Sequence, residues 1–550
     1  MKCVRQLRTL TGAFMSLLAY EACFGYVLEN DALRIESASA EAGFGIVSVE
    51  SKLGDGARFV YCDAMASSNF WALAFSRVGG DNQVGKVVVD NHVAAEVKRV
   101  ERNGDETRFV WQGIRLPDDD SGCVDVIASV VLPQGTADSV WRISVENRST
   151  KWALFETMYP RLRNVVRPGE ADVLMPYENL GARLLKRYNG KSRNRQCQWG
   201  EFAYPSYYPP VAAFMTGNSG MYYAAEDPDA RIKRMFVWDV DAWFTTPVEN
   251  AGVIGEAARD PGYPVVIGAF KGDWWQVAKR YRRWALKQKW AAKGPIMGRK
   301  DFPQSFKDLD VMTFMIDRNA VAASNKIARI VRGFPGLKVG VHWYGWHNSG
   351  FCVNFPELFP AQKGVPAVMK AWAEKGVTVM PYTNPRLWDT NSAAWEFTRD
   401  YACRSWQGNY RTVAYQGNPC AVMCPSSEAW KRSVWKWSRQ LLDIGANAVY
   451  YDQVAVARPF ECYDTRHGHP VGGGAWWREG YVRMLEPIRR AYNERGAFLT
   501  TEGAGEAYLD LFDGFLQVVE RKPEDVPFWS AVYSGYTTYF CSSENVDDDS

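Results

Sequence analysis

Two acids close short apolar runs: Asp452 ends "NAVYYD" and Glu502 ends "AFLTTE". A pair of carboxyl groups on either side of an acetal carbon can cleave it. One protonates the departing oxygen, and the other attacks the carbon or activates water. A separation of about 5–5.5 Å corresponds to retention of configuration and a wider gap to inversion. A single acid at a strand end is as well explained by a helix cap or an ion pair. Two of them, at the ends of strands consecutive in the chain, point towards chemistry.

Polar and aromatic residues gather at comparable places. "GVHWYGWHNSG" supplies His342, Trp343 and Trp346, "MPYTNPRLWD" supplies Tyr382, Asn384 and Trp388, and "RHGHPVGGG" supplies His467 and His469. These suit a sugar, whose C–H faces lie on aromatic rings while its hydroxyls need polar partners. One of Trp343 and Trp346 is expected as a stacking platform and the other as core. The Gly- and His-rich loop is expected to wall a pocket and donate to hydroxyls. Glu506, four residues past Glu502, would share its helical face if a helix began at Gly503, and would then bind a hydroxyl or face solvent. His467 and His469 flank one glycine, but no third ligand stands nearby, and Cys420 and Cys424 have no second pair at zinc spacing. No metal and no cofactor are therefore expected. Phosphate loops, dinucleotide fingerprints and serine nucleophile elbows are absent.

The elements that must position these residues fall into two regions. Residues 26–292 read as short alternating strands, such as "ETRFVWQGIRL" and "VWRISVENRS", separated by turns. That pattern predicts a β-sandwich. A helix is expected over Asp273–Gln288, capped by Asp273, and a linker over 293–305. From 306 to 550 strands alternate with helices. Strands are expected at 310–316, 338–344, 377–383, 447–452 and 497–502, with weaker candidates at 514–519 and 528–533. A helix over Ser427–Ile444 and another carrying Trp477, Tyr481, Leu485, Ile488 and Tyr492 intervene. Apolar strands alternating with helices imply parallel pairing, and the polar residues recurring at strand ends favour a (β/α)8 TIM-type barrel over an open sheet. Six or seven strands can be counted before Ser550, which leaves closure of the barrel open.

The chain has 550 residues, more than one ordinary core accommodates, and a net charge of +3 with no basic stripe, which argues against nucleic acid as a partner. Residues 1–25 combine Lys2, Arg5 and Arg8 with an apolar Leu10–Ala19 and small residues at Cys23 and Gly25. This is the form of an export signal, so a secreted or periplasmic location is expected. No stretch approaches the roughly 20 apolar residues of a membrane span.

"YYDQV", "HGHPVGGG", "LTTEGAGE" and "LENDALRIE" resemble a bacterial group related to glycoside hydrolases. Its barrel is similar to that of endo-α-N-acetylgalactosaminidases and, more remotely, α-galactosidases. The resemblance implies a retaining glycoside hydrolase for an oligosaccharide or polysaccharide of α-linked galactose or N-acetylgalactosamine, with Asp452 as nucleophile and Glu502 as acid/base. Relatives of this kind usually continue into a further β-rich domain. Two other readings stand beside it: a non-catalytic carbohydrate-binding protein, and a cell-surface structural protein whose acids serve as caps.

Overall fold

The computed structural model describes residues 25–62, 68–77, 86–178, 180–190, 200–255, 259–350, 353–415, 417–517 and 522–540. The expected export signal, apart from Gly25, lies outside them.

Alternation builds the first half. Asp138–Asn147 buries every second residue, the mark of a strand with one face in a core. It belongs to a ten-stranded antiparallel sheet, and Trp152–Leu162 to a six-stranded one. The buried faces of the two sheets meet. Tyr223 of the first stacks on Phe244 of the second with ring centroids 5.1 Å apart, and Trp141 approaches Tyr159.

The second half holds a barrel-like sheet. Seven strands follow one another in chain order, each parallel to the next: Val311–Ile316, Val339–Tyr344, Thr378–Thr383, Ala448–Tyr451, Phe498–Glu502, Gly514–Leu516 and Tyr539–Phe540. Helices return the chain between several of them. Ser427 caps Glu428–Asp443 by accepting from the Trp430 N–H, and Asp273 caps Trp274–Ala285 by accepting from the Trp275 N–H. Within the latter helix Val277, Ala278, Tyr281 and Ala285 form the buried face, while Trp275 is exposed.

Two expectations need correction. "FWSAVY" is the helix Phe528–Tyr533, not a strand; its buried residues Phe528, Trp529, Val532 and Tyr533 recur at helical spacing. Aromatic and β-branched content mimicked strand propensity there. Beyond the third barrel strand, a small antiparallel sheet of Leu387–Asp389, Thr412–Tyr415 and Asn418–Val422 is inserted, which the alternating pattern did not reveal.

The halves interlock. Strand Asp525–Val526 joins the edge of the ten-stranded sheet, where Asp525 pairs with Arg183 at 2.7 Å. The glycine run at 472–474 lies against the other sheet. The Gly473 N–H donates to the Val248 carbonyl at 2.9 Å, and a side chain at 473 would collide with the Pro247 carbonyl. "GGG" is thus a place where two backbones touch.

Candidate active site

Register brings the two acids level. Tyr451 pairs with Thr501 across adjacent parallel strands, so the residue after each, Asp452 and Glu502, stands at the same height at the carboxyl end of the sheet. Ligand sites of parallel sheets form at that end. The Asp452 N–H donates to the Thr383 carbonyl at 2.8 Å, fixing the strand end to its other neighbour. Gln453 follows with φ 66°, a left-handed conformation uncommon for a residue with a side chain, and its N–H donates to Glu502. Gly503 turns the chain just past Glu502 with φ 59°, where a Cβ would strike Val456.

The carboxyl groups themselves are in hydrogen-bond contact. Asp452 is buried, and its Oδ2 accepts from the Tyr382 hydroxyl at 2.7 Å and the Asn384 amide at 3.4 Å. Its Oδ1 accepts from the Tyr450 hydroxyl at 3.3 Å. Glu502 is partly open. Burial raises both acids. The tie is broken by donors. Two phenols and an amide support a charge on Asp452, whereas Glu502 has the Gln453 N–H and faces the charges of Asp452 and Glu178. A proton shared by the pair is therefore favoured on Glu502, with Asp452 accepting from it. Both carboxyls are held above their ordinary range, Glu502 the further, so of the two Glu502 is the better proton donor and Asp452 the better anion.

Around them the barrel-facing side chains are aromatic. His342 and Tyr344 share one face of their strand and pack on Tyr382 and Tyr450, with the His342 and Tyr450 rings 4.2 Å apart. Burial pushes the His342 imidazolium down to about 3, so the ring is neutral at ordinary pH. Replacing Tyr382 by Phe removes the 2.7 Å hydrogen bond to Asp452 Oδ2. A hydrogen bond to a charged group contributes about 1.5–3 kcal/mol, so kcat/KM should fall by roughly 10- to 100-fold, with the acidic limb of the pH profile moved upward. Steady-state kinetics across pH check this.

Several expected contacts are absent from this cluster. Trp343 and Trp346 are both fully buried; their indole N–H groups donate to the carbonyls of Asp317 and Tyr382. Neither offers a free stacking face, because Trp343 alternates away from His342 and Trp346, just past the strand, is packed against His347 and Phe359. Trp388 sits in the inserted sheet against Trp430, donating to Ser392. His467 and His469 are buried beside Cys462 and Cys424, with their remaining ring nitrogens on backbone carbonyls, so they do not present donors to a sugar. No helix starts at Gly503. Glu506 opens a single 3-10 turn and is 1% exposed, its two oxygens accepting from Tyr281 at 2.7 Å and Tyr533 at 2.6 Å. It is a buried carboxyl at the junction of the two halves, neither solvated nor free for a hydroxyl.

Glu506 has its own consequence. Burial raises it to about 7, against the opposing effect of the surrounding phenols and Lys233. A carboxyl raised in the fold favours the folded state while protonated. Its contribution is full below the unfolded value near 4.5 and is lost as pH rises to about 7. Glu506→Gln, which stays neutral, should therefore gain melting temperature relative to the parent between pH 5 and pH 8, as thermal unfolding across pH would reveal.

The sequence reading overlooked Tyr450, Tyr344 and Glu178. Period-two alternation could have found the first two, since Tyr450 stands two residues from Asp452, and Tyr344 two from His342. Glu178 comes from the ten-stranded sheet, just past strand Asp172–Tyr177, with the Tyr207 hydroxyl donating to it at 3.2 Å. No local pattern ties it to acids that lie far beyond it in the chain, at Asp452 and Glu502.

A family model described as "Domain of unknown function (DUF6259)" matches residues 260–543, more than half of the chain. The chain belongs to the DUF6259 family. The DUF6259 segment contains both carboxyl groups and every barrel strand. Over 574 aligned residues the chain is 26% identical to a Bacteroides thetaiotaomicron protein named "Putative glycoside hydrolase", covering 96% of this chain and 79% of that protein. It is 25% identical to a Monosiga brevicollis protein of the same name, numbered 22789, covering 70% of this chain and 36% of that one. Among solved structures, the α-N-acetylgalactosaminidase NagBb of Bifidobacterium bifidum, in complex with GalNAc, matches with TM-score 0.67 at 12% identity over 93% of this chain and 84% of its own. The expected kinship with glycoside hydrolases is borne out. This DUF6259 chain shares the fold of an α-N-acetylgalactosaminidase, and glycoside hydrolase is the enzyme class its relatives carry.

Proposed function

We propose that this protein is a retaining glycoside hydrolase for α-linked galactose or N-acetylgalactosamine, with Asp452 as nucleophile and Glu502 as acid/base. The observation that carries the reading is the geometry of the pair: Asp452 and Glu502 stand side by side at the carboxyl ends of adjacent parallel strands, with Asp452 buried and held by Tyr382, Asn384 and Tyr450. Carboxyls in contact lie far inside the roughly 6.5–9.5 Å that an inverting enzyme keeps open for water. A sugar entering between them needs only a modest parting to reach retaining distance. In the first step Asp452 attacks the anomeric carbon, a glycosyl ester forms, and the Glu502 proton passes to the departing oxygen. Oδ2 is held by Tyr382 and Asn384, leaving Oδ1, with its longer bond to Tyr450, as the attacking atom. In the second step Glu502, now a carboxylate, takes a proton from water as that water displaces Asp452. Two inversions return the starting configuration.

The reading extends to the architecture. Residues 26–292 act as a β-sandwich that lends Glu178 to the site, 293–305 link it to the barrel, and 306–550 contribute a catalytic (β/α)8 barrel. The basic and apolar N-terminal segment directs the chain to a secreted or periplasmic location, where glycans are met. The sugar preference rests on the named activity of the similar solved structure. The test is a panel of nitrophenyl α- and β-glycosides with the first-formed anomer followed by proton NMR. Turnover of an α-galactoside or α-N-acetylgalactosaminide with α product first is expected. A β anomer formed first, or binding of glycans with no product from any glycoside, would overturn the proposal.

A further inference from the structure

Cys424, Cys462, His467 and His469 meet in the interior although they come from two distant segments. Cys424 follows strand Asn418–Val422 of the inserted sheet, just ahead of helix Glu428–Asp443. The other three lie in the loop between Asp452 and helix Trp476–Asn493, spaced Cys-x4-His-x-His. One sulfur or ring nitrogen from each residue falls within 4.8 Å of all the others, and all four residues are buried. The Cys424 Sγ is 3.4 Å from His469 Nε2, and the Cys462 Sγ is 3.5 Å from His467 Nδ1. Four ligands placed tetrahedrally around zinc, at about 2.3 Å for sulfur and 2.0–2.1 Å for nitrogen, stand roughly 3.3–3.8 Å from one another. The two sulfur–nitrogen distances fall in that range.

The geometry points to a structural zinc site formed by Cys424, Cys462, His467 and His469. The outward ring nitrogens fix the tautomers of both histidines. His467 Nε2 lies 2.8 Å from the Asp400 carbonyl and His469 Nδ1 lies 2.7 Å from the Pro470 carbonyl. A carbonyl can only accept, so each outward nitrogen holds the proton and each inward one presents a lone pair to the sulfurs. That is how histidine ligands are oriented around metals. The His469 ring is also fixed, stacked on Trp476 with centroids 3.8 Å apart and planes 8° apart. Two sulfurs and two imidazoles suit zinc better than the oxygen-seeking calcium or magnesium. Cys403, buried and in contact with both sulfurs, is a neighbouring thiol outside the four. Zinc here would tie the loop after Asp452 to the start of helix Glu428–Asp443, two segments otherwise joined at this point by thiol–imidazole contacts.

Mass-spectrometric metal analysis of the full chain, purified without chelator from zinc-supplemented medium, tests this. About one zinc per chain is expected, with a sulfur–nitrogen shell in X-ray absorption and a fall of several degrees in melting temperature on chelation. Cys462→Ser and His469→Ala should lose the metal, while Cys403→Ser keeps it. The absorption spectrum of the parent protein decides the matter if the ligand variants fail to fold. Absence of zinc from reduced parent protein given excess metal would overturn the proposal. So would a disulfide among Cys403, Cys424 and Cys462, zinc retained in Cys462→Ser, or zinc lost in Cys403→Ser.

Discussion

Asp452→Asn should lower kcat/KM by a factor on the order of 10⁴ or more on any glycoside the parent protein cleaves, with the fold intact. Asparagine keeps the size of the side chain and an oxygen for the Tyr382 hydroxyl, which at present lies 2.7 Å from Asp452 Oδ2. It cannot form the glycosyl ester. Removing a charge that burial disfavours should leave the melting temperature unchanged or raised. Loss of activity without loss of stability separates a nucleophile from a cap or an ion-pair partner, because either structural role would show first in unfolding. Shortening Asp452 to Gly should restore part of the turnover in azide, since a small anion can occupy the vacated space and attack directly, giving a glycosyl azide of inverted configuration.

Glu502→Gln should behave differently, and the difference is diagnostic. General acid and base assistance is typically worth 10²–10⁴-fold, and the loss scales with how much the departing group needs a proton. A nitrophenyl glycoside leaves readily, so its first step should be slowed little while the second, which needs Glu502 as base, is slowed much. A burst of nitrophenol followed by a slow steady rate is therefore expected. Unactivated disaccharides should lose turnover from the first step. Azide should relieve the stalled ester and give an azide of retained configuration. The basic limb of the pH profile should vanish with the acid: it reports loss of the Glu502 proton, which burial and the Asp452 charge hold well above the ordinary carboxyl range. Equal loss on all substrates, without a burst, would show that Glu502 positions Asp452 and transfers no proton.

The carboxyl pair was legible in sequence because each acid ends an apolar strand, and consecutive parallel strands align their ends. Strand positions along 311–502 and the capped helix after Ser427 were legible for the same reason: period and cap are local properties. What surrounds the pair was less so. One of Trp343 and Trp346 is expected as a platform and the other as core, but residue type does not say which way a strand residue points; both are core, and His342 and Tyr344, on the other face of the same strand, are the ones that meet Tyr450 and Tyr382. His467 and His469 read as a pocket wall in sequence because no further ligand stands near them in the chain, and Cys424 reaches them only through the fold, from the end of the inserted sheet. The condition for Glu506 to share a helical face with Glu502, a helix beginning at Gly503, is not met, because Glu506 opens a 3-10 turn instead. Glu178 and Tyr281, which donates to Glu506, come from elements brought in by the packing of the two halves, which no window along the chain contains.

If Asp452 forms a covalent bond with the sugar while Glu502 handles the proton, the bond can be trapped. A fluorinated α-galactosyl fluoride, reactive enough to form the ester but slow to lose it, should inactivate the protein with time. Peptide mass spectrometry should then find one sugar mass on the peptide carrying Asp452, and none in Asp452→Asn. A label on Glu502 or another residue, or no label while the parent protein still turns over α-galactosides, would contradict the account.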